Sequence, residues 1–225
     1  MRLRRWLFTF ALAAALVCPG AKLPAQTAAQ APSQHRATST PYTGDLSIFD
    51  TAGRDERLHI NRVMDTLAIA PGKAVADIGA GSGWFTVRAA KRVGEAGHVY
   101  AEDINPAAIQ HIDERIHQEK LANVTTVAGT PNDPKLPPDS VDAVLLLKAY
   151  HEIAQPVALL ENLKASLRPG ARVGIVDRDG NGEDHGVHKS VVLQEAKQAG
   201  YRLVEEHDEL VKDDKMDYFL VLQLR

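Results

Sequence analysis

Val75-Ala76-Asp77-Ile78-Gly79-Ala80-Gly81-Ser82-Gly83-Trp84-Phe85-Thr86 reads as an apolar strand ending in a carboxylate, a loop with glycine at every second position, and the first turn of a helix. Glycine has no Cβ to block positive φ or a close approach to the backbone, so this loop is suited to turning sharply against a ligand. The spacing is G-x-G-x-G. A dinucleotide turn places its third glycine one residue later, and a phosphate-binding P-loop ends in Lys followed by Ser or Thr, so neither pattern fits. Asp77 at the strand end repels a phosphate and stabilises a cation such as an ammonium or a sulfonium.

A second apolar stretch ends in acids: Val99-Tyr100-Ala101-Glu102-Asp103-Ile104-Asn105-Pro106. An acid about twenty residues beyond a glycine loop is where a ribose diol is held, and Gly83 to Asp103 meets that spacing. On these two stretches the chain resembles the class I, Rossmann-like S-adenosylmethionine-dependent methyltransferases, over roughly residues 45 to 225. The resemblance implies a doubly wound α/β fold. Its seven-stranded, mainly parallel sheet has the order 3-2-1-4-5-7-6 and a C-terminal antiparallel hairpin. It also implies S-adenosyl-L-methionine as cofactor, with Asp77, Gly79, Gly81 and Gly83 around the methionine part. Asp103 then falls on the ribose, with Glu102 as the fallback, and Ile104 on the adenine.

After strand three the chain departs from the family, which commonly shows an Asp followed by a small residue for the adenine amino group. Here the stretch is Gly129-Thr130-Pro131-Asn132-Asp133. Thr130 occupies the matching position and replaces a carboxylate only in part, with Asn132 or Asp133 as substitutes. Strand four ends in Lys148-Ala149-Tyr150-His151-Glu152, where the family draws residues beside the methyl group. Lys148 is assigned to the cofactor. Methyl transfer is an in-line displacement at carbon, so alignment and exclusion of water come first. A base is needed only for an acceptor that must lose a proton. His151 is the expected base because imidazole titrates near neutrality, Tyr150 is expected to orient the acceptor, and Glu152 to fix the imidazole tautomer if the fold brings the two together. The alternative is a polar loop supporting the next helix.

Strand five ends in Asp177-Arg178-Asp179-Gly180, with His185 and His188 beyond. H-x-x-H without a third placed ligand is a weak signal. The two histidines are read as exposed loop residues and no metal site is assigned, although Asp177 and His188 are alternatives for reaching the acceptor.

With 225 residues the chain suits one domain. Arg2, Arg4 and Arg5 precede an apolar run from Trp6 to Val17, the outline of a secretory signal and too short to span a membrane, which takes about 20 apolar residues. Cleavage after Ala25 is expected, giving an exported protein, periplasmic or secreted. The sole cysteine, Cys18, leaves with the signal, and the net charge moves from -3 to -7. That acidity argues against a nucleic-acid partner, and a small-molecule methyl acceptor is the expected substrate. Residues 26–44, rich in Ala, Gln, Pro, Ser and Thr, read as a disordered linker before a domain at 45–225.

Ile60, Val63, Met64 and Leu67 recur at helical spacing, in a helix that either crosses the entrance to the cofactor site or covers the sheet. Strands are expected at 74–78, 98–102, 124–128, 143–147, 171–176, 202–207 and 218–224. Helices are expected at 84–93, 106–119, 156–167 and 188–199. Two other functions fit parts of this pattern: a non-catalytic nucleoside-binding module, and a dinucleotide-dependent oxidoreductase, which the glycine spacing disfavours.

Overall fold

The computed structural model describes residues 36–225; the signal-like segment and the first part of the linker lie outside the described residues. The strands are β1 (Ala74–Ile78), β2 (His98–Asp103), β3 (Val124–Ala128), β4 (Val141–Leu147), β5 (Leu167–Asp177), β6 (Tyr201–Glu206) and β7 (Tyr218–Leu224). They form one sheet in the order β3-β2-β1-β4-β5-β7-β6, as the resemblance implied. β1 to β5 run parallel, and β7 is antiparallel to both β5 and β6.

Period-two alternation shows why these strands are nearly all apolar. Val75, Ala143 and Leu145 pack on one face of the sheet, and Ala76, Ile78, Val144 and Leu146 on the other. A strand covered on both faces has no solvent side on which a polar residue is free. The first face is covered by α2 (Ile60–Thr66) and α3 (Trp84–Val93), the second by α5 (Pro156–Leu163) and α6 (Lys189–Gln198). Each fully buried Val, Leu or Ile contributes about 1.5–3 kcal/mol relative to exposure. α4 (Pro106–Glu119) starts as its sequence dictates: the Asn105 side chain accepts the Ala107 N–H at 3.0 Å, and Pro106 stands where no N–H is required.

Two expectations are revised, and one choice between alternatives is decided. α5 stops at Leu163, and after one 3-10 turn β5 already begins at Leu167. Leu167 pairs with Val141, and the register then slips before Ala143 meets Arg172, so Pro169 and Gly170 sit in a bulge that tolerates a missing N–H and a positive φ. The helix containing Ile60, Val63 and Met64 covers the sheet rather than the site. Leu67 just beyond it packs on Gly174, where an added Cβ would stand 2.9 Å from its methyls.

The second revision concerns the expected linker. Residues 36–44 form no helix or strand but pack against the domain. Arg36 donates to the Tyr150 carbonyl at 2.7 Å and to Glu195 at 2.9 Å, while buried Ser39 donates its N–H to the His151 carbonyl at 3.2 Å. Carbonyls at the strand ends find partners in this segment. A composition poor in apolar residues does not reveal that.

Candidate active site

The topological switch lies at β1, whose neighbours β2 and β4 lead the chain in opposite directions. Ligands bind beyond the carboxyl ends of strands at such a point. A cavity of about 650 Å³ opens there, within the range of small-molecule sites.

At one end the glycine loop forms the wall. Gly79 and Gly81 have φ of +70° and +55°, and a Cβ on Gly79 would come within 2.6 Å of the Ala149 Cβ, so the loop after β1 lies directly on the loop after β4. Gly83 is different. It precedes α3 with φ +71° and faces Ile112 of α4, where a Cβ would stand at 3.3 Å. It lies outside the cavity lining, so its assignment to the cofactor becomes one to helix packing.

Three carboxylates converge here. Asp77, buried, accepts the Thr86 hydroxyl at 2.6 Å and is pushed up to about 7, chiefly by burial. Glu102 accepts the Gly79 N–H at 3.3 Å and is pushed up to about 8 by burial and then by the charge of Asp103. Its Oε1 is buried without a hydrogen-bond partner. Asp103, also raised by burial, accepts the Gly81 N–H at 2.9 Å and the Asn105 N–H at 2.8 Å. Acceptor oxygens with spare capacity in a partly enclosed cavity suit a ligand bearing hydroxyls and positive charge. That is the chemistry of a ribose diol, an ammonium and a sulfonium, and S-adenosylmethionine carries all three.

Beside them Ile104 is 44% exposed, an apolar side chain that lines the cavity with Thr130 and Pro131. The Thr130 hydroxyl donates towards Asn132 Oδ1 and the Asp133 carbonyl, at 3.1 and 3.2 Å, leaving it free only as an acceptor. Asn132 and Asp133 do not line the cavity. Lys148, with φ +55°, does; burial holds its pKa below the usual lysine value, with Arg54 and Arg178 adding to the effect.

At the other end β4 and β5 finish side by side, Leu147 against Val176. This brings His151 to Asp177, with Nδ1 at 2.8 and 3.0 Å from the two carboxylate oxygens and the His151 N–H also donated to Asp177 at 3.0 Å. Asp177, fully buried behind the imidazole, therefore orients the ring, while Glu152 stands on its other side with Oε1 3.7 Å from Nε2. Tyr150 requires a correction. Its hydroxyl donates to Glu195 at 2.9 Å, its ring is buried among α5 and α6, and it does not line the cavity. Tyr150–Glu152 is a 3-10 turn, in which successive side chains point about 120° apart, so His151 faces the cavity and Tyr150 the core.

Of the loop histidines, His185 lines the cavity and His188 does not, being spent on Asp179 at 3.2 Å. The roof, which sequence reading missed, comes from Thr38 to Tyr42 together with Leu46, Ile48, Phe49 and Arg54. Arg54 is buried, donates to Asp214 at 3.1 Å and lies 4.4 Å over the Trp84 ring. Its partner is 160 residues away, and no local pattern announces that pair.

Comparisons with known proteins agree with this geometry. A family model described as a methyltransferase domain matches residues 75–170. The arsenite methyltransferase of Halobacterium salinarum is 31% identical over 49% of this chain and 28% of its own length. A ubiquinone/menaquinone biosynthesis C-methyltransferase of Vibrio vulnificus is 25% identical over 56% of this chain and 49% of its own. The chain thus spans half or less of those curated relatives. The crystal structure of a SAM-dependent methyltransferase from Aquifex aeolicus superposes with a TM-score of 0.73 at 24% identity, covering 81% of this chain and 100% of that one. Among the described residues no helix is long and apolar enough to cross a membrane. The matched methyltransferase domain at residues 75–170, the strand order and the acid-lined glycine loop agree: the chain has the class I methyltransferase fold and carries a stretch similar to that family's domain.

Proposed function

We propose that this protein transfers the methyl group of S-adenosylmethionine to a small-molecule acceptor bound between the glycine loop and His151. The observation that carries the reading is one cavity joining the two ends: Asp77, Gly79 and Asp103 at one, His151 and His185 at the other. The bound cofactor supplies an electrophilic methyl group on a sulfonium. Asp77 and the Gly79 and Gly81 loop would hold its methionine part, Asp103 or Glu102 the ribose, Ile104 and Thr130 the adenine, and Lys148 the carboxylate.

The acceptor is activated at His151. With Nδ1 held by Asp177, the ring presents Nε2 to the cavity, placed to take a proton from a hydroxyl, thiol or amine. The roof segment and Phe49 line the cavity, where they would shield the path between methyl and acceptor from water. Arg178 lines the same end and has no ion-pair partner among the described residues, which favours an acceptor with an anionic group. The relatives' names differ in acceptor, so none is carried over. Export of the protein is part of the proposal; its support is the Arg2, Arg4, Arg5 and Trp6-to-Val17 pattern, outside the described residues.

Calorimetry tests the reading. S-adenosylhomocysteine is expected to bind, and NAD at least tenfold more weakly because the loop lacks the dinucleotide spacing. Equal or tighter NAD binding overturns it.

A further inference from the structure

We propose that His151, Glu152 and His185 bind a divalent first-row transition-metal ion at the acceptor end of the cavity, a site the two-histidine reading of the loop did not contain. The inference rests on the proposed methyltransferase reading only for where the acceptor sits. One nitrogen from each imidazole and a carboxylate oxygen of Glu152 lie within 4.8 Å of one another. His151 Nε2 and Glu152 Oε1 are 3.7 Å apart, and the imidazole planes stand at 88° with centroids 5.8 Å apart. Metal–ligand bonds of about 2.0–2.2 Å put ligand atoms roughly 3–3.5 Å from each other. His185 is exposed, so its side chain has room to turn and close the set.

The surroundings match what such an ion needs. A ligating imidazole commonly gives its second N–H to a carboxylate, which fixes the tautomer and strengthens the donor. Asp177 does this for His151. Nε2 makes no hydrogen bond among the described residues, and its near neighbour is another carboxylate oxygen, so this nitrogen is available to ligate a cation beside Glu152.

The backbone also presents His185. Its φ is +59°, in the left-handed region, and its N–H is donated to the Ser39 Oγ at 2.9 Å. That hydroxyl in turn donates to the Gly182 carbonyl at 2.9 Å, and the loop is closed by the Gly182 N–H on the Gly186 carbonyl at 2.7 Å. Two imidazoles and one carboxylate select Zn²⁺, Co²⁺, Fe²⁺ or Mn²⁺ over Mg²⁺ and Ca²⁺, which prefer oxygen alone. Three protein ligands leave positions open to the cavity. An acceptor hydroxyl or thiol bound there loses its proton to solvent at neutral pH. In that case His151 holds the ion and does not take the proton itself.

The test is equilibrium dialysis and visible spectroscopy with Co²⁺ on the full chain in a Cys18→Ser background, so that no thiolate competes. One equivalent is expected, with ligand-field bands that Zn²⁺ abolishes. His185→Ala and Glu152→Gln should each weaken binding tenfold or more, Asp177→Asn 10- to 100-fold, and His188→Ala, outside the cluster, should change nothing. Absence of Co²⁺ binding, or equal binding by both His185→Ala and Glu152→Gln, overturns the site. S-adenosylhomocysteine calorimetry on the same samples separates the two readings: cofactor binding without metal removes only the ion, and metal binding without cofactor removes only the methyltransferase assignment.

Discussion

At the cofactor end, Gly79 and Gly81 give their N–H groups to Glu102 and Asp103, 23 and 22 residues further on, through two adjacent strands joined by one helix. At the acceptor end, His151 meets Asp177 across the second half of the sheet, Arg36 reaches Glu195 over 159 residues, and Ser39 holds His185 over 146. The first end is built mainly on one β-α-β unit, whose glycine loop and strand-end acids lie close in sequence, with Thr130 and Lys148 added from the loops after β3 and β4. The second is assembled from chain segments that share no local pattern, and its side chains work only because strand order and the N-terminal segment bring them together. A motif therefore identifies the cofactor, and the acceptor chemistry waits on tertiary contacts.

The sharpest way to break this division is His151→Ala. If binding and chemistry belong to different ends, turnover falls by roughly 10²-fold or more once an acceptor is in hand, while S-adenosylhomocysteine affinity stays within about twofold. Loss of cofactor affinity in that variant would merge the two ends and make His151 structural.

Within the cofactor end, Asp103→Ala is expected to cost about 1.5–3 kcal/mol of S-adenosylhomocysteine affinity, the range for hydrogen bonds to a charged group. Glu102→Gln is the companion variant, because the unpartnered Oε1 of Glu102 is the competing ribose acceptor. A loss confined to Glu102→Gln moves the ribose by one residue.

Protonation gives a further handle on the same end. Asp77 and Glu102 are raised to about 7 and about 8 by burial, with Asp103 nearby raised in the same direction and Arg54 acting the other way on Asp77. A cationic ligand favours the ionised carboxylates, so S-adenosylmethionine binding should release protons and tighten severalfold between pH 6 and 8. Calorimetry in buffers of different ionisation enthalpy counts the protons. Without ligand the sign reverses. The folded protein then holds protons that the unfolded chain has lost, so stability declines as pH rises from about 4 towards 8, and melting temperatures at pH 5 and 8 read it directly.

The smallest effect is predicted for Tyr150→Phe. Its hydroxyl serves Glu195 in the core, so turnover should change less than about threefold while stability falls by about 1 kcal/mol. A large loss of turnover with unchanged stability would return Tyr150 to the acceptor site.

Much of this molecule was legible in the chain. The bounds of β1, α3, β3 and β7 coincide with the apolar runs between Gly, Pro and Asn, because buried strands and capped helices are dictated by nearest neighbours. The loop after β1, the acids after β2 and His151 at the end of β4 were placed by the same local signals. Other features were not legible. Tyr150 turned inward because a 3-10 turn separates neighbouring side chains, and Gly83 went to helix packing because α4 lies against it. β5 began early through a bulge opposite Val141, and the expected linker packed at residues 36–44 through hydrogen bonds to distant carbonyls.

By itself, then, the amino-acid order determined the strand sequence, the glycine loop and its preference for a cationic nucleoside, all consequences of backbone freedom and local burial. Tertiary structure alone decided which histidine meets which acid. The His151–Asp177 pair and the approach of Glu152 and His185 to the same Nε2 arise where β4 and β5 end together beneath the N-terminal segment. Electrostatic and coordinating interactions act through space over a few ångströms, and separation along the chain does not encode them.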